Sequence, residues 1–301
     1  MGSRSISANR WTSFSRRLAA PLAASVPRTL KVSAANAAFQ RIEVLRRNRT
    51  KRRHYDEFVI EGVRAINGAI AGGWTIRSFG FARGRSLSRW ASSILEQSRA
   101  EAHLEIAPEL FEQLTEKEEA PELLAVVARR PDSLDRIAPQ RGMVVVIADR
   151  PASPGNLGTL IRSCDAFGAA GVIVTGHGTD LYDPLTIRAS VASFFAVPCI
   201  ALPSHDEVSR WLDELPPSLG TVTLVGTSAH ATTPLRGFAW GENVVLVIGN
   251  ETSGLSHAYR TMCDAVVGIP MRGTATSLNA AVAASLALYE IDSQRRDRSA
   301  G

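Results

Sequence analysis

Five short apolar runs in the second half of this 301-residue chain constrain its fold more than any other feature. They are Met143-Val-Val-Val-Ile-Ala148, Gly171-Val-Ile-Val174, Cys199-Ile-Ala-Leu202, Thr221-Val-Thr-Leu-Val225 and Val244-Val-Leu-Val-Ile248. Each is nearly continuous rather than alternating, and helical stretches separate them. A strand that is apolar on both sides must be covered on both sides. The pattern therefore predicts an α/β domain over residues 142–301 with a parallel sheet between helical layers.

Upstream, residues 36–128 read as a smaller α/β domain. A basic helix is expected over about 36–53, a strand over Phe58–Glu61, and a helix from Gly62 to Ile70 stopped by Gly72-Gly73. Further strand and helix signals follow at Thr75–Phe81, Leu87–Ser98, Leu104–Ile106 and Pro108–Leu114. The polar, proline-bearing stretch 129–141 reads as a linker.

Charge divides the chain unevenly. Residues 1–60 carry 13 Lys/Arg against 3 acidic residues, whereas the remaining 241 carry 21 against 26. The densest part is Arg46, Arg47, Arg49, Lys51, Arg52 and Arg53, which suggests nucleic-acid phosphate as a partner. A solvated helix face is the alternative. Residues 1–35 contain no acidic residue and are expected to be a disordered basic arm, with a targeting peptide or a start assigned too far upstream as rival readings.

Several classes are excluded. No run of 18 apolar residues exists to span a membrane. The cysteines Cys164, Cys199 and Cys263 are three, far apart and without CxxC spacing. They read as buried thiols in a reducing cytoplasm rather than a disulfide or zinc framework. The six histidines form no ligand cluster, so no metal is expected. No GxGxxG follows a strand and no GxxxxGK[ST] is present, which argues against Rossmann and P-loop nucleotide sites.

Ligands of parallel α/β sheets bind at the carboxyl ends of strands, and three loops there carry unusual residues. The first is Asp149-Arg-Pro-Ala-Ser-Pro-Gly-Asn156-Leu-Gly158-Thr-Leu-Ile-Arg162, in which Asn156 can cap a helix bearing Arg162. The second is Ile248-Gly249-Asn250-Glu251-Thr-Ser-Gly254-Leu255, a glycine-flanked turn with a carboxylate at its tip. The third, Ile269-Pro-Met-Arg-Gly-Thr-Ala-Thr-Ser-Leu-Asn279, joins a proline-broken strand end to a small-residue helix, Ala280 to Glu290. It offers two helix caps, Ser277 and Asn279, where one would serve.

In this order the three loops resemble the signature motifs of the SpoU (TrmH-like) branch of the SPOUT RNA methyltransferases. Asn156, Gly158 and Arg162 match the first motif. Gly249, Glu251, Gly254 and Leu255 match the second, and Ile269, Pro270, Met271, Gly273, Ser277, Leu278 and Asn279 the third. The segment around Phe58–Gly62 and its basic prelude resembles the family's ribosomal-protein L30e-like substrate-binding domain.

The resemblance implies a deep trefoil knot in the C-terminal domain, an exception to the rule against threaded chains. It further implies S-adenosylmethionine as cofactor, contacted by Gly249, Ile269, Leu278 and Thr227, and methyl transfer to a ribose 2′-hydroxyl, with 23S rRNA the expected RNA. Arg162 is the expected catalytic residue. An arginine pKa above about 12 makes it an awkward base, so pinning a phosphate and stabilising the developing oxyanion suits it better. Asn156, Ser277 and Asn279 are expected to orient it and the ribose, and Glu251 to hold the loops together. The helix from Ala280 implies a homodimer with the site completed across the interface, or else a helix buried within one chain. Rival functions are tRNA 2′-O-methylation and a non-catalytic, RNA-binding ribosome assembly factor.

Overall fold

The computed structural model of the chain describes residues 27–115 and 120–300. The N-terminal domain runs through β1 (Arg28–Val32), α1 (Ala37–Arg47), α2 (Arg49–Tyr55), β2 (Glu57–Glu61), α3 (Val63–Ala71), β3 (Ile76–Ala82), α4 (Arg89–Gln97), β4 (Ala102–Ile106), α5 (Pro108–Gln113) and β5 (Leu124–Ala128). Its sheet has the order β1-β4-β3-β5-β2, with β5 antiparallel to both neighbours and the other pairs parallel.

This domain corrects three sequence expectations. The disordered arm assigned to residues 1–35 cannot include 28–32, because Arg28–Val32 pairs in register with Ala102–Ile106; residues 1–26 lie outside the described residues. Four of the five β1 residues are exposed, so this edge strand leaves almost no apolar signature. The single basic helix expected over 36–53 is two helices. Asn48 ends α1 in extended conformation, and its side-chain oxygen accepts the Lys51 N–H to cap α2. Finally, β5 was not anticipated, although Leu124–Val127 are buried between two partner strands.

The C-terminal domain contains β6 (Val144–Asp149), α6 (Pro154–Ala166), β7 (Gly171–Thr175), α7 (Pro184–Ser190), α8 (Ser193–Ala196), β8 (Cys199–Leu202), α9 (Asp206–Asp213), β9 (Val222–Thr227), β10 (Thr233–Pro234), β11 (Asn243–Ile248), α10 (His257–Met262), β12 (Ala265–Gly268) and α11 (Ala280–Ala300). Its strands form one parallel sheet in the order β10-β12-β9-β11-β6-β7-β8. Side chains alternate between two cores, as a pleat with two covered faces requires. Val144, Val146 and Ala148 face α6 and α11, while Val145 and Ile147 face α9 and α10.

Two sets of contacts set the outer limits of this arrangement. Helix α11 runs well beyond Glu290 because its last turns are anchored: Arg295 donates to the carbonyls of Gly142 (2.7 Å) and Glu242 (2.6 Å), and Arg298 to that of Trp240 (3.1 Å). The N-terminal domain docks through an aromatic cluster, Phe58 and Trp74 against Tyr182, Phe194 and Phe195. There the Trp74 indole N–H donates to the Phe195 carbonyl at 3.2 Å. The expected linker is itself held, since Ile137 is buried in the α9–α10 core and Arg129 lies over the Tyr182 ring at 4.4 Å.

Helices α6 and α7 meet at Gly158. A Cβ there would strike the Thr186 carbonyl and come within 2.6 Å of the Ala189 Cβ, so the glycine of the first motif is an approach device. Alanine in a free helix gains about 1 kcal/mol over glycine. Here the sign reverses, because overpacking at a backbone contact costs about 1–3 kcal/mol. Gly158→Ala is expected to lower the unfolding free energy by that margin, read as a lower urea midpoint at unchanged slope, with the helical circular dichroism retained; a stabilised variant would show that the helices are free to part.

Candidate active site

The carboxyl ends of β6, β9, β11 and β12 converge on one place, and side chains rather than helix ends lock the loops there. Asp149, 3% exposed, closes β6. Its carboxylate accepts the Ser256 N–H at 2.7 Å and both ends of the Arg150 guanidinium, at 3.1 and 3.2 Å. Arg150 sits in the left-handed region, φ 53°, which is unfavourable for a residue with a Cβ. The turn is held because Arg150 also donates to the Gly254 carbonyl (3.0 Å) and accepts from the Asn250 amide (2.7 Å). First and second loops are thereby tied together.

Asn250 has a definite local task. Its Oδ1 accepts the N–H groups of Thr252 and Ser253 at 2.9 and 3.0 Å, while its main chain exchanges two hydrogen bonds with Gly254. Gly254 adopts φ 66°. The turn is so tight that a Cβ on Gly249 would strike the main chain of Gly254 and Leu255. A side chain at Gly249 is excluded on packing grounds alone.

Glu251 at the tip of this turn reaches back to the first loop. It accepts the Ala152 N–H at 2.9 Å, the Ser153 N–H at 3.4 Å and the Asn156 amide at 3.0 Å. Partial burial pushes its carboxyl up. The Asn156 amide and the main-chain N–H groups of Ala152, Glu251 and Ser153 more than offset that, holding it below the usual carboxylate range. It is an ionised acceptor at neutral pH, placed at the N-terminus of α6 where negative charge is favoured. Asn156 passes the chain onward, its Oδ1 accepting from the Asn279 amide at 2.8 Å. Asn279 Oδ1 in turn accepts from Ala281 and Val282, which makes it the cap of α11. The surplus of caps is resolved: Asn279 closes the helix and Ser277 lines a cavity. Asn156 does not cap α6, because the Ser153 hydroxyl takes that position, accepting the Asn156 N–H at 3.3 Å.

The cavity, about 320 Å³, lies between the second and third loops. Thr227, Gly249, Ile269 and Leu278 all line it, with Ile248 and Val267 supplying apolar strand ends and Ser228, Ser277 and Arg260 polar rim. Among the described residues, the main-chain N–H groups of Ile269 and Leu278 make no hydrogen bond within the chain. Asp149, Arg150 and Arg260 were missed from sequence. For Asp149 the signal was a carboxylate ending an otherwise apolar strand.

Arg162 stands elsewhere. It is exposed on α6 and does not line the cavity. Six residues beyond Asn156, it lies roughly 9 Å further along the helix axis. Its guanidinium makes no hydrogen bond or ion pair among the described residues. The α6 ridge facing α11 is next to it, with the hydroxyls of Ser163 and Ser285 2.7 Å apart and Phe167 against Tyr289. Along α11, Ala281, Ala284, Ala287, Leu288 and Ile291 are buried, while Val282, Leu286 and Tyr289 form an exposed apolar stripe with Leu278 at its start.

The six basic residues expected to meet RNA divide into two groups. Arg46 and Arg52 are corrected: at 8% and 3% exposure they face inward. Arg46 pairs with Glu61 at 2.9 Å, and Glu61 also holds Arg188 of α7. Arg52 pairs with Asp180 at 2.7 Å. Arg49 is partly covered and donates to the Gly178 carbonyl at 2.7 Å. Arg49 and Arg52 fasten α2 directly to the C-terminal domain, and Arg46 is linked to it through Glu61 and Arg188, since a buried guanidinium requires a carboxylate or carbonyl. Arg47, Lys51 and Arg53 are exposed.

Comparison with known proteins follows this geometry closely. Residues 143–289 match the model of the SpoU rRNA Methylase family and residues 36–125 that of the SpoU L30e-like domain. A Streptomyces viridochromogenes protein described as a 23S rRNA (uridine(2479)-2′-O)-methyltransferase is 44% identical over 270 residues, 89% of this chain and 94% of its own. RlmP of Bacillus subtilis, a 23S rRNA (guanosine(2553)-2′-O)-methyltransferase, is 31% identical over 62% of this chain and 71% of its own. Among solved structures, the SpoU methyltransferase AviRb from Streptomyces viridochromogenes in complex with AdoMet superposes with a TM-score of 0.83 at 45% identity, covering 86% of this chain and 98% of that one. An AdoMet-bound rRNA methyltransferase from Sinorhizobium meliloti gives 0.77 at 29%, covering 88% and 98%. The chain belongs to the SpoU rRNA methylase family.

Proposed function

We propose that this chain transfers the methyl group of S-adenosylmethionine to a ribose 2′-hydroxyl of 23S rRNA. The observation that carries the reading is the hydrogen-bonded series Asn279–Asn156–Glu251, which joins all three motif loops and ends at Glu251, a residue that lines the cavity. The names of the relatives favour ribosomal over transfer RNA, and intact motif residues favour an enzyme over a non-catalytic binder. A ribosomal RNA substrate and three unpaired thiols, two of them buried, support a cytoplasmic site of action; among the described residues no helix is long and apolar enough to cross a membrane.

The residues present fit the cofactor. A cleft of this size lies at the lower end of the roughly 300–1,000 Å³ common for ligand sites. Its strand ends Ile248, Val267 and Ile269 with Leu278 offer apolar walls for a purine, and the main-chain groups of Ile269 and Leu278 offer polar partners for its edge. When bound, the cofactor supplies an electrophilic methyl group on a sulfonium. Gly249, Ile269, Leu278 and Thr227 would hold it, while Ser277 and Asn156 orient the ribose and Glu251 keeps the loops closed. Methyl transfer from a cation to a nascent alkoxide neutralises charge, so exclusion of water favours it.

Arg162 would stabilise the oxyanion developing at the ribose oxygen and pin the neighbouring phosphate. Because it lies outside its own chain's cavity, we propose that it serves the cavity of a second copy. A homodimer packed on the exposed stripe Val282, Leu286 and Tyr289 would bring it there, and unpaired apolar surface beside an unpartnered arginine supports that arrangement. We further read the C-terminal domain as the deep trefoil knot implied by the resemblance. The strand order β12-β9-β11-β6, with α11 returning to pack on α6 and β11, supports the threading.

The direct test is incorporation of labelled methyl groups from S-adenosylmethionine into protein-free 23S rRNA, with the modified ribose then mapped. Absence of both incorporation and cofactor binding would sink the catalytic reading. Arg162→Ala is expected to keep cofactor affinity and lose turnover by at least about a hundredfold, the scale of one oxyanion donor; wild-type turnover would remove Arg162 from the mechanism. Neutralising Arg47, Lys51 and Arg53 together should weaken RNA binding and flatten its salt dependence by about one unit of slope per lost phosphate contact. An unchanged slope would move the RNA path off α2.

A further inference from the structure

The cofactor reading leaves one charge at the cavity without a counterpart. Arg260, on α10, lines the cavity beside Ser253 and Gly254. Its Nη2 lies 3.8 Å from where a Cβ of Gly254 would stand. Arg260 is exposed, and among the described residues its guanidinium makes no hydrogen bond or ion pair. The neighbouring arginine of the first loop is not equivalent, because Arg150 is spent on Asp149 and the Gly254 carbonyl. Nor does the cavity's own carboxylate answer it. Glu251 is turned toward the N-terminus of α6 and is already occupied by Ala152, Ser153 and Asn156.

We propose that Arg260 receives the carboxylate of the cofactor's amino-acid tail, and so distinguishes S-adenosylmethionine and its demethylated product from adenosine thioethers that lack the tail. The inference rests on the cofactor reading above and adds the residue that reads one end of the molecule. Its chemistry is straightforward. A guanidinium presents a planar fork that matches a carboxylate in two parallel hydrogen bonds. Apart from Glu251, whose carboxylate is engaged by the first loop, the remaining lining is apolar or neutral, with His230 and Ser228 on the opposite loop. A tail carboxylate entering this cavity would meet Arg260 as its unpaired guanidinium. Position on a helix next to the tight Asn250–Gly254 turn also gives the arginine a firm base, as a selective contact needs.

Calorimetric titration of the full chain with S-adenosylhomocysteine and with 5′-methylthioadenosine, which ends at the thioether, tests this without turnover. Arg260→Ala is expected to weaken S-adenosylhomocysteine by about 10- to 100-fold, the scale of a charge-assisted hydrogen bond, and to leave 5′-methylthioadenosine unchanged. Arg260→Lys should recover part of the loss. Unchanged binding of S-adenosylhomocysteine by Arg260→Ala would overturn the assignment. So would a parallel fall for both ligands, which marks general damage to the loop, or a loss confined to RNA affinity, which would make Arg260 a phosphate contact. A wild-type chain that binds neither ligand would defeat the cofactor reading itself, and this proposal with it; that result is distinct from any difference between variants.

Discussion

The Glu251 carboxylate organises the catalytic end of this molecule. A single ionised group accepts from two main-chain N–H groups and one side-chain amide of another loop, and that amide's oxygen is held by the cap of the last helix. Without it, the first and second loops would keep only the Asp149–Arg150 ties, and Asn156 would lose the partner that fixes its amide. Such loops carry high conformational entropy, on the order of 1–2 kcal/mol per residue to order, so a cofactor would have to organise them on binding. With it, the cavity exists in advance, and binding energy can be applied to orientation.

The second constraint is between domains. Half of the basic cluster that suggests nucleic acid is directed inward, onto Glu61, Asp180 and the Gly178 carbonyl. Gly178 and Asp180 lie between β7 and α7, at the same end of the sheet as the first motif loop. The aromatic cluster around Phe58 fills the space behind them. An RNA held on the outer side of α2 would therefore stand in a set relation to the cavity.

Sequence reading was most successful where pattern and structure share a cause. Strands apolar on both faces announce a covered parallel sheet, and all five expected runs are strands within one or two residues. It failed at β1, whose exposed edge positions carry no apolar pattern, and at Asn48, where a cap divides one basic stretch into two helices. The motif residues were legible as types but not as partners. Asn156 was expected to cap its helix and Ser153 does so instead, since either residue type suits that position. Burial of Arg46 and Arg52 was invisible, because their carboxylates, Glu61 and Asp180, are remote in sequence. The position of Arg162, outside the cavity its own loops form, is likewise a matter of tertiary packing that spacing along one helix does not express.

Helix α11 is held at both ends, by Asn279 at the cavity and by Arg295 and Arg298 on carbonyls at the start of β6 and before β11. It thus behaves as a tie rod running between the two ends of the central strands β11 and β6. Tension or slack introduced at its far end reaches the Asn156 amide through one stiff element whose inner face is itself part of the core. Fusions or truncations at the carboxyl terminus are mechanically adjacent to the chemistry, although they lie on the opposite rim of the domain.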